Sequence, residues 1–475
     1  MDANIRTTDA RSPTPQPTAV GELATALQGD LLTRASPDYD AARTIWNAMI
    51  DRHPALIARC RTATDVVTAV RYARHHDLPV AVRGGGHNIA GSAMVDDGIV
   101  IDLSAMKAVR VDAAQRTARV EGGATLGDVD RATQEFGLAT PLGINSTTGV
   151  AGLTLGGGFG WLTRAFGYTV DNLLSAEVVT ADGEVLRASE RSHPDLFWAI
   201  RGGGGNFGIV TAFEFRLHPV GPDVLAGLVV HRFDDAGALL RAYREVMARA
   251  PDELSAWVVL RKAPPLPFLP AEVHGQEVVV FATCYAGDVP AGERAMAPLR
   301  ALGTPIADVI APTPYSGWQT AFDPLLTPGA RNYWKTHNYT ALHDELIDTV
   351  LDFTARLPDP QCEVFLGHLG GAGGRVPVDA TAYAQRDAEF VMNVHARWDT
   401  PAGDATCVGW ARDLFTTAAP LATGGAYVNF LTEEEGDRVR SAYGSNYDRL
   451  VEVKNRYDPT NVFRANQNIK PAVVA

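Results

Sequence analysis

A short apolar strand runs directly into three glycines and a histidine, and this feature constrains the chain more than any other. The strand spans residues 79–82, and the loop that follows reads Arg83-Gly84-Gly85-Gly86-His87-Asn88. Because glycine lacks a Cβ atom, this backbone can lie close to a bulky anionic ligand and direct several N–H groups at it. The pattern predicts a site for a phosphate-bearing cofactor with a nucleophilic imidazole beside it.

Two further glycine-rich loops follow, at residues 143–160 and 202–208, and strand-like sequence flanks each of them. One glycine cluster usually marks a turn. Three clusters between residues 83 and 208 indicate several backbones that converge on one extended ligand. Tight connections between strands and helices remain the alternative.

Residues 203–208 (Gly-Gly-Gly-Asn-Phe-Gly) match the dinucleotide-binding pattern G-x-G-x-x-G. That fingerprint requires a helix after it, whereas residues 209–217 alternate as a strand does. We therefore reject the Rossmann interpretation. The sequence also lacks the G-x-x-x-x-G-K, H-E-x-x-H and G-x-S-x-G motifs, which argues against a P-loop ATPase, a zinc protease and a serine hydrolase.

Length and charge limit the remaining possibilities. A chain of 475 residues is too long for one ordinary hydrophobic core, so we expect two domains. The net charge of −13 argues against nucleic acid as the main partner, because a phosphate backbone needs a basic surface. No apolar run is long enough to span a bilayer, so no membrane segment is expected.

The cysteines carry little functional information. They are far apart and form no C-x-x-C motif, so neither a metal site nor a redox dithiol is expected; they are Cys60, Cys284, Cys362 and Cys407. Buried free thiols are the simplest interpretation, and they fit a reducing, cytoplasmic location. Residues 1–18 are polar, contain several prolines and are expected to be disordered.

Periodicity predicts alternating helices and strands. Helices are expected at 64–76, where Thr64 is the candidate cap, at 125–136 and over one stretch at 434–457; strands are expected at 79–83, 99–101, 109–120 (a hairpin), 174–188 (a hairpin) and 209–217. The amino-acid composition changes near Pro219: glycine clusters end there, and prolines become more frequent. We therefore expect a first domain at 19–220, a second at 221–424, and a return to the first domain at 425–475.

The motifs taken in order resemble one family. Four segments are similar to those of berberine bridge enzyme-like proteins. They are the glycine–histidine loop, the run Ser146-Thr147-Thr148-Gly149-Val150-Ala151-Gly152-Leu153-Thr154-Leu155-Gly156-Gly157-Gly158-Phe159-Gly160, the segment from Asp195 to Gly204, and the tail Tyr457-Asp458-Pro459-Thr460-Asn461-Val462-Phe463. These are flavin oxidases with the vanillyl-alcohol oxidase, or PCMH, type of FAD domain. The resemblance covers residues 45–218 and 426–472, and the middle of the chain matches only in general layout.

The resemblance implies an α+β fold in two domains. A discontinuous FAD-binding domain of the PCMH type is expected from the N-terminal half and the C-terminal tail. The middle domain is expected to be a larger antiparallel sheet, backed by helices, that covers the flavin and binds the substrate.

The resemblance also implies that His87 carries a covalent bond to the 8α carbon of FAD. Many relatives attach the flavin a second time through a cysteine, and in this sequence Asn145 stands at that position. An amide cannot form the thioether, so we predict a single covalent link at His87. The expected FAD-binding residues are Arg83, Gly84, Gly85, Gly86, His87, Asn88, Ser92, Asn145, Thr147, Thr148, Gly149, Gly152, Gly157, Gly158, Gly208, Val210, Asn466 and Asn468.

The catalytic residues are predicted from two shorter resemblances. Tyr427 and Asn429 match a Tyr-x-Asn segment, and alternation on a strand would place them on the same side. Tyr427 is the expected base if a nearby cation lowers its pKa. The segment 332–336 resembles one that carries a basic residue near the flavin in relatives, so Lys335 is the candidate cation. Weaker candidates for the pocket wall are Tyr333, Tyr339, Glu363, His368 and His395.

The expected reaction is a two-electron oxidation of a small-molecule alcohol, amine or sugar, with reoxidation of the flavin by dioxygen to hydrogen peroxide. An oxidative cyclase or tailoring enzyme of natural-product biosynthesis would use the same flavin chemistry, and a non-catalytic flavin-binding protein is a third possibility. A monomer or homodimer is expected. The sequence does not identify the substrate, because the pocket walls lie where the resemblance is weakest.

Overall fold

A four-stranded sheet begins the fold in the computed structural model, which describes residues 16–472. The strand order is β1-β2-β4-β3, with β1 and β2 antiparallel and the other pairs parallel. The elements of this part are α1 (Pro17–Ala26), β1 (Asp30–Thr33), α2 (Tyr39–Arg43), β2 (Leu56–Arg59), α3 (Ala63–His75), β3 (Val80–Arg83) and β4 (Ile99–Asp102).

Two local predictions need correction here. Helix α3 is capped by Thr62 and not by Thr64, because Thr62 and Asp65 form a reciprocal capping box and Thr64 lies inside the helix. Disorder was predicted for residues 1–18, but residues 17 and 18 belong to helix α1, so the predicted boundary is wrong. Residues 1–15 of that segment lie outside the described residues.

A five-stranded antiparallel sheet follows, in the order β5-β6-β10-β8-β9. Its central strand β10 comes directly after the third glycine loop, which confirms that this loop is not a Rossmann fingerprint. The elements of this part are β5 (Val109–Asp112), β6 (Thr117–Glu121), α4 (Leu126–Gln134), β7 (Leu138–Ala139), α5 (Val150–Leu155), α6 (Thr163–Phe166), β8 (Leu173–Val179), β9 (Val185–Ser189), α7 (Pro194–Ile200), β10 (Ile209–Arg216) and β11 (His218–Pro219).

An eight-stranded antiparallel sheet occupies the middle of the chain, in the order β15-β12-β14-β13-β18-β19-β17 with β16 also paired to β12. Helices α8, α9, α11 and α13 share one large core with it. The elements are β12 (Asp223–Arg232), α8 (Ala236–Met247), β13 (Leu254–Lys262), β14 (Glu277–Tyr285), α9 (Val289–Arg300), β15 (Ala307–Asp308), β16 (Ala311–Pro314), α10 (Tyr315–Gln319), β17 (Arg331–Tyr339), α11 (Asp344–Thr354), β18 (Glu363–His368), α12 (Gly371–Gly374), β19 (Phe390–Trp398) and α13 (Asp404–Ala418). The predicted α+β class with an antiparallel sheet in the middle domain is confirmed.

The C-terminal segment returns to the five-stranded sheet. Its apolar side chains, among them Leu431, Leu450 and Ile469, share a core with Val120 of β6 and Phe213 of β10. The single helix predicted at 434–457 is wrong. Two helices, α14 (Val439–Tyr443) and α15 (Tyr447–Tyr457), are separated by Gly444, whose φ of +54° breaks the helical path.

A buried ion pair fastens this returning segment. The Lys454 ammonium on α15 is 0% exposed and lies 2.7 Å from Asp458 Oδ2. It also donates to the carbonyls of Asn206 (2.8 Å) and Phe463 (2.9 Å). One buried cation therefore connects the third glycine loop to the C-terminal tail.

Other features of the described chain are simple. The four cysteines are buried and free, as expected. Within residues 16–472, no helix has both the length and the apolar character needed to cross a membrane.

We predict that Lys454→Met lowers the free energy of unfolding by about 3–5 kcal/mol, because it leaves the Asp458 carboxylate buried without its counter-charge. The control is Arg456→Ala on the same helix. The Arg456 side chain is 69% exposed and pairs with Asp195, so its loss should cost about 1 kcal/mol or less. Urea unfolding followed by circular dichroism measures both. Equal effects of the two substitutions would contradict this role for Lys454.

Candidate active site

A cavity lies between the glycine loops and the inner face of the eight-stranded sheet, and the C-terminal segment closes one side. Most of the residues predicted to bind the cofactor line it. They are Gly84, Gly85, Gly86, His87, Asn88, Ser92, Asn145, Thr148, Gly149, Gly152, Gly208, Val210 and Asn466. The structure thus brings all three glycine loops and the C-terminal tail to one place.

Glycines in these loops serve two different purposes. Gly85 and Gly149 pack backbone against backbone, and a Cβ atom on either would overlap the other residue. Gly152 and Gly205 also line the cavity, but a Cβ atom on them would meet no protein atom within 4 Å. Gly85 and Gly149 therefore allow two backbone segments of the protein to pack closely together. Gly152 and Gly205 instead expose backbone to empty space in the cavity.

Several buried polar atoms on the cavity wall have no hydrogen-bond partner among the described residues. They include Asn466 Oδ1, Asn393 Oδ1 and Trp334 Nε1. Because buried polar groups in folded proteins are normally paired, these atoms indicate a ligand with both donors and acceptors. Together with the open glycine backbone, they fit an extended dinucleotide such as FAD.

His87 is held on two sides. Its ring stacks on Trp46 with the centroids 5.1 Å apart and the planes 22° apart. Its Nε2 atom lies 2.8 Å from Thr147 Oγ1. The surrounding protein desolvates the ring and lowers the pKa of His87 to about 4, so the imidazole is neutral at physiological pH. A neutral imidazole retains a lone pair that can act as a nucleophile.

Five predicted cofactor residues do not line the cavity. Arg83 turns away and donates to the carbonyl of Ala42. Thr147 contacts His87 Nε2 through its hydroxyl oxygen and does not reach the cavity. At Gly157 and Gly158, the space that a Cβ atom would need is occupied by the side chains of Tyr383 and Thr169. Asn468 is also outside the cavity wall. The motif located these residues near the site without indicating which way each one faces.

Tyr427 and Asn429 line the cavity, but not as predicted. They do not lie on a strand, because Val428–Phe430 forms a 3₁₀ turn. Asn429 Nδ2 donates to the Tyr427 hydroxyl at 2.9 Å, so the two residues are still neighbours. Burial raises the pKa of Tyr427 well above its ordinary value. The expected lowering of this pKa is therefore corrected, and Tyr427 is poorly suited to act as a base.

Lys335 does not reach Tyr427. Side chains alternate along β17, and Trp334 faces the cavity, so Lys335 faces the opposite side. There its ammonium is buried and lies 3.1 Å from both Glu434 and Glu435. The same alternation removes the wall candidates Tyr333 and Tyr339, which are packed into the core behind the sheet. The sequence gives the period of a strand but not which face is inward.

A cluster of polar side chains lies on the face of the eight-stranded sheet that lines the cavity. Glu363 begins β18, His395 lies opposite it on β19, and His395 Nδ1 is 3.2 Å from Glu363 Oε1. His395 Nε2 is 3.2 Å from Asn332 Oδ1, and Arg261 donates to Glu363 Oε2 at 2.8 Å. Glu363 and His395 were weak candidates from sequence, and both line the cavity. His368, the third candidate on these strands, does not; it lies beside Glu389.

The protonation states of this pair follow from its surroundings. Burial lowers the pKa of His395 below its ordinary value, although the Glu363 carboxylate opposes this effect. Burial alone would raise the pKa of Glu363, but Arg261 and His395 outweigh it and the pKa is lowered. At neutral pH the pair is therefore a carboxylate beside a neutral imidazole, which is a proton acceptor.

Six aromatic side chains from strands and loops across the chain also line the cavity, and the sequence interpretation did not identify them as wall residues. They are Trp46, Phe159, Trp257, Trp334, Phe365 and Phe430. They come from six separate segments of the chain, so no local pattern connects them. Only the tertiary fold brings them together.

Among residues 16–472, no group of His, Cys, Asp or Glu side chains is arranged to hold a metal ion.

Comparisons with known proteins agree with this geometry. The family profile of an FAD binding domain matches residues 54–189, and that of berberine and berberine-like proteins matches residues 426–470. An FAD-linked oxidoreductase of Bacillus subtilis is 34% identical over 94% of this chain and 98% of its own length. The (R)-6-hydroxynicotine oxidase of Paenarthrobacter nicotinovorans is 32% identical over 95% of this chain and 99% of its own.

A solved structure extends the comparison to three dimensions. The crystal structure of 6-hydroxy-D-nicotine oxidase from Arthrobacter nicotinovorans matches this chain with a TM-score of 0.84 and 31% identity. The match covers 94% of this chain and 98% of that one. The fold is therefore shared along nearly the whole length of both chains.

We predict that Gly152→Ala weakens FAD binding by about fivefold or more without destabilising the fold, because its methyl group would enter cavity space and meet no protein atom. Gly409→Ala is the matched control, since Gly409 also lies in a helix with free space around it but away from the cavity. The dissociation constant of FAD, measured with His87 replaced by alanine, checks this. Unchanged binding in Gly152→Ala would remove α5 from the cofactor site.

Proposed function

The chain belongs to the berberine bridge enzyme-like family of FAD-linked oxidoreductases, and we propose that it is an oxidase of a small, flat amine or alcohol. The observation that carries this proposal is the Glu363–His395 pair, which faces the cavity from an otherwise largely aromatic wall. A proton acceptor and a flavin on opposite sides of one cavity are the two components that such an oxidation needs.

The cofactor supplies the electron chemistry. When bound, FAD would supply a hydride acceptor for a substrate C–H bond and a route for the two electrons to dioxygen, with hydrogen peroxide as the product. The backbones at Gly84–Gly86, Gly152 and Gly205 would hold it, with Asn466 as a hydrogen-bonding partner. His87 would carry the single covalent link, because its neutral imidazole lies on the cavity wall and Asn145 offers no thiol for a second one.

Glu363 and His395 take the proton from the O–H or N–H group of the substrate. The neutral His395 ring donates from Nδ1 to the carboxylate, so its Nε2 lone pair points at Asn332 Oδ1, 3.2 Å away. Asn332 Nδ2 donates to the Ala330 carbonyl at 2.9 Å, which fixes this orientation of the amide. A proton on Nε2 turns an unfavourable contact between two acceptors into a hydrogen bond, and this gain offsets part of the burial that lowers the pKa of His395.

The aromatic walls position the substrate and exclude water. Trp334 packs edge-on against His395, with the ring centroids 4.7 Å apart. It also packs edge-on against Trp46, with the ring centroids 5.7 Å apart. Flat, apolar surfaces of this kind favour a ring-containing substrate over an extended polar sugar chain. The name of the hydroxynicotine oxidase, with which this chain shares 32% identity, supports an amine on an aromatic ring as the first class to test.

An anaerobic screen tests the proposed reaction. Candidate cyclic amines, aromatic alcohols and sugars are added to the purified protein, and loss of the flavin absorbance identifies substrates. Readmission of air should restore the absorbance with one hydrogen peroxide per turnover. Product analysis then separates simple oxidation from an oxidative cyclisation. Reduction by sugars alone would contradict the proposed substrate class, and reduction by none of these would contradict the oxidase.

We predict that His87→Ala protein releases all of its flavin on acid precipitation, whereas the wild type retains it. His218→Ala is the matched control: His218 is also stacked on an aromatic ring and burial lowers its pKa to about 4, but it does not line the cavity. Absorbance of the precipitate and the supernatant measures the flavin in each. Acid-stable flavin in His87→Ala would refute the attachment site.

We predict that Glu363→Gln and His395→Gln lower kcat by about 100-fold or more with flavin content unchanged, because each removes part of the proton acceptor. The matched controls are Glu389→Gln and His368→Gln; His368 ends β18, Glu389 directly precedes β19, and neither residue lines the cavity. Single-turnover flavin reduction measures the rates.

The pH profile gives a second measure of the same pair. Because the pKa values of both groups are lowered, the proton-accepting form persists from neutral pH downwards and is lost only when these groups are protonated. The acid limb of kcat/KM should therefore have its midpoint below the ordinary histidine value of 6.5. A midpoint above that value, or equal losses in the control pair, would contradict the assignment.

A further inference from the structure

The orientation of the Asn145 amide is fixed by its neighbours. The backbone N–H of Thr147 points at Asn145 Oδ1 at 3.1 Å, and this group can only donate. Asn145 Nδ2 lies 3.4 Å from the Leu326 carbonyl, which can only accept. The oxygen of the amide is therefore the atom that faces Thr147.

This orientation determines where the hydroxyl proton of Thr147 lies. Thr147 Oγ1 is 2.7 Å from Asn145 Oδ1, and an amide oxygen carries no hydrogen, so the hydroxyl is the donor. With its proton directed at Asn145, Oγ1 accepts from its other neighbour, His87 Nε2, at 2.8 Å. His87 Nε2 consequently carries the ring hydrogen, and the lone pair of the neutral ring is on Nδ1.

We propose that Asn145, acting through Thr147, holds His87 as the Nε2–H tautomer and thereby makes Nδ1 the atom that bonds to the flavin. The proposal rests on the covalent attachment proposed above and assigns the residues that direct it. Asn145 and Thr147 are positioning residues, because they act through His87 rather than on the reacting carbon.

The same backbone carbonyl supports the face of the ring. Trp46 Nε1 donates to the Leu326 carbonyl at 3.0 Å, and Trp46 stacks on His87. Leu326 thus anchors both the residue that fixes the ring plane and the residue that fixes the tautomer. A ring held on its face and at one edge has one nitrogen left to react.

The attachment balances with dioxygen as the oxidant. The lone pair of His87 Nδ1 forms the bond to the 8α carbon, one C–H hydrogen of the 8-methyl group leaves as a proton, and the Nε2 hydrogen leaves as a second proton. The two electrons released pass to dioxygen, which takes up both protons and becomes hydrogen peroxide. The product is a neutral ring whose Nε2 then accepts a hydrogen bond from Thr147.

Acid-stable flavin is the direct readout, and it does not depend on catalytic activity. Thr147→Val removes the hydroxyl at nearly constant shape, and Asn145→Ala removes the acceptor that orients it; both should slow covalent attachment by about tenfold. Thr147→Ser keeps the hydroxyl and should attach at the wild-type rate. Flavin-free protein from a riboflavin-limited culture is mixed with FAD, and the acid-stable fraction is followed over time.

Ser146→Ala controls for general loosening of this loop. Ser146 donates its hydroxyl to Asp323 at 2.5 Å and does not contact His87, so its loss should leave attachment unchanged. If Ser146→Ala slows attachment as much as Thr147→Val, loop stability and not the tautomer is responsible, and the proposal is overturned. Wild-type attachment rates in Thr147→Val and Asn145→Ala overturn it as well.

The bonded nitrogen is identified by NMR of the flavin-bearing peptide. Attachment at Nδ1 gives three-bond correlations from the 8α methylene protons to the imidazole Cγ, whereas attachment at Nε2 gives them to Cδ2. Correlation to Cδ2 would overturn this proposal while leaving the covalent link intact. Wild-type protein from which acid releases all the flavin would overturn the covalent link and, with it, this proposal.

Discussion

The contact between Gly85 and Gly149 is the constraint on which the site depends. The two backbones meet where any side chain would overlap the partner. This contact joins the loop after β3 to the start of α5, and so it holds the first and second glycine loops together. It also brings His87 within hydrogen-bonding distance of Thr147, which lies two residues before Gly149. His87 and the two residues proposed to set its tautomer, Asn145 and Thr147, therefore come from two different glycine loops.

Two Glu–His pairs lie at β18 and β19, with Glu389 directly before β19, and their positions account for the different roles that we propose for them. Glu363 and His395 face the cavity among aromatic rings, whereas His368 and Glu389 lie outside it beside Arg164. The same two residue types thus form the proposed proton acceptor in one place and a contact outside the cavity in the other. The chemistry depends on which side of the sheet the cavity occupies.

Much of the fold and of the cofactor side of the site was predictable from sequence, because local patterns determine them. The strand before Arg83, the hairpins and β10 follow from alternation, and the glycine loops converge as expected. The substrate side was not predictable. Which face of β17 is inward decides between Trp334 and Lys335, and only packing against distant segments settles that. The pKa of Tyr427 likewise depends on burial, which a sequence motif does not record.

The mass of the denatured wild-type protein tests the central claim most directly. If His87 bonds to FAD, the chain separated under denaturing conditions carries the additional mass of one FAD less two hydrogens, and fragmentation places it on the peptide that contains His87. A chain with the mass of the polypeptide alone, obtained from yellow protein, would contradict the account.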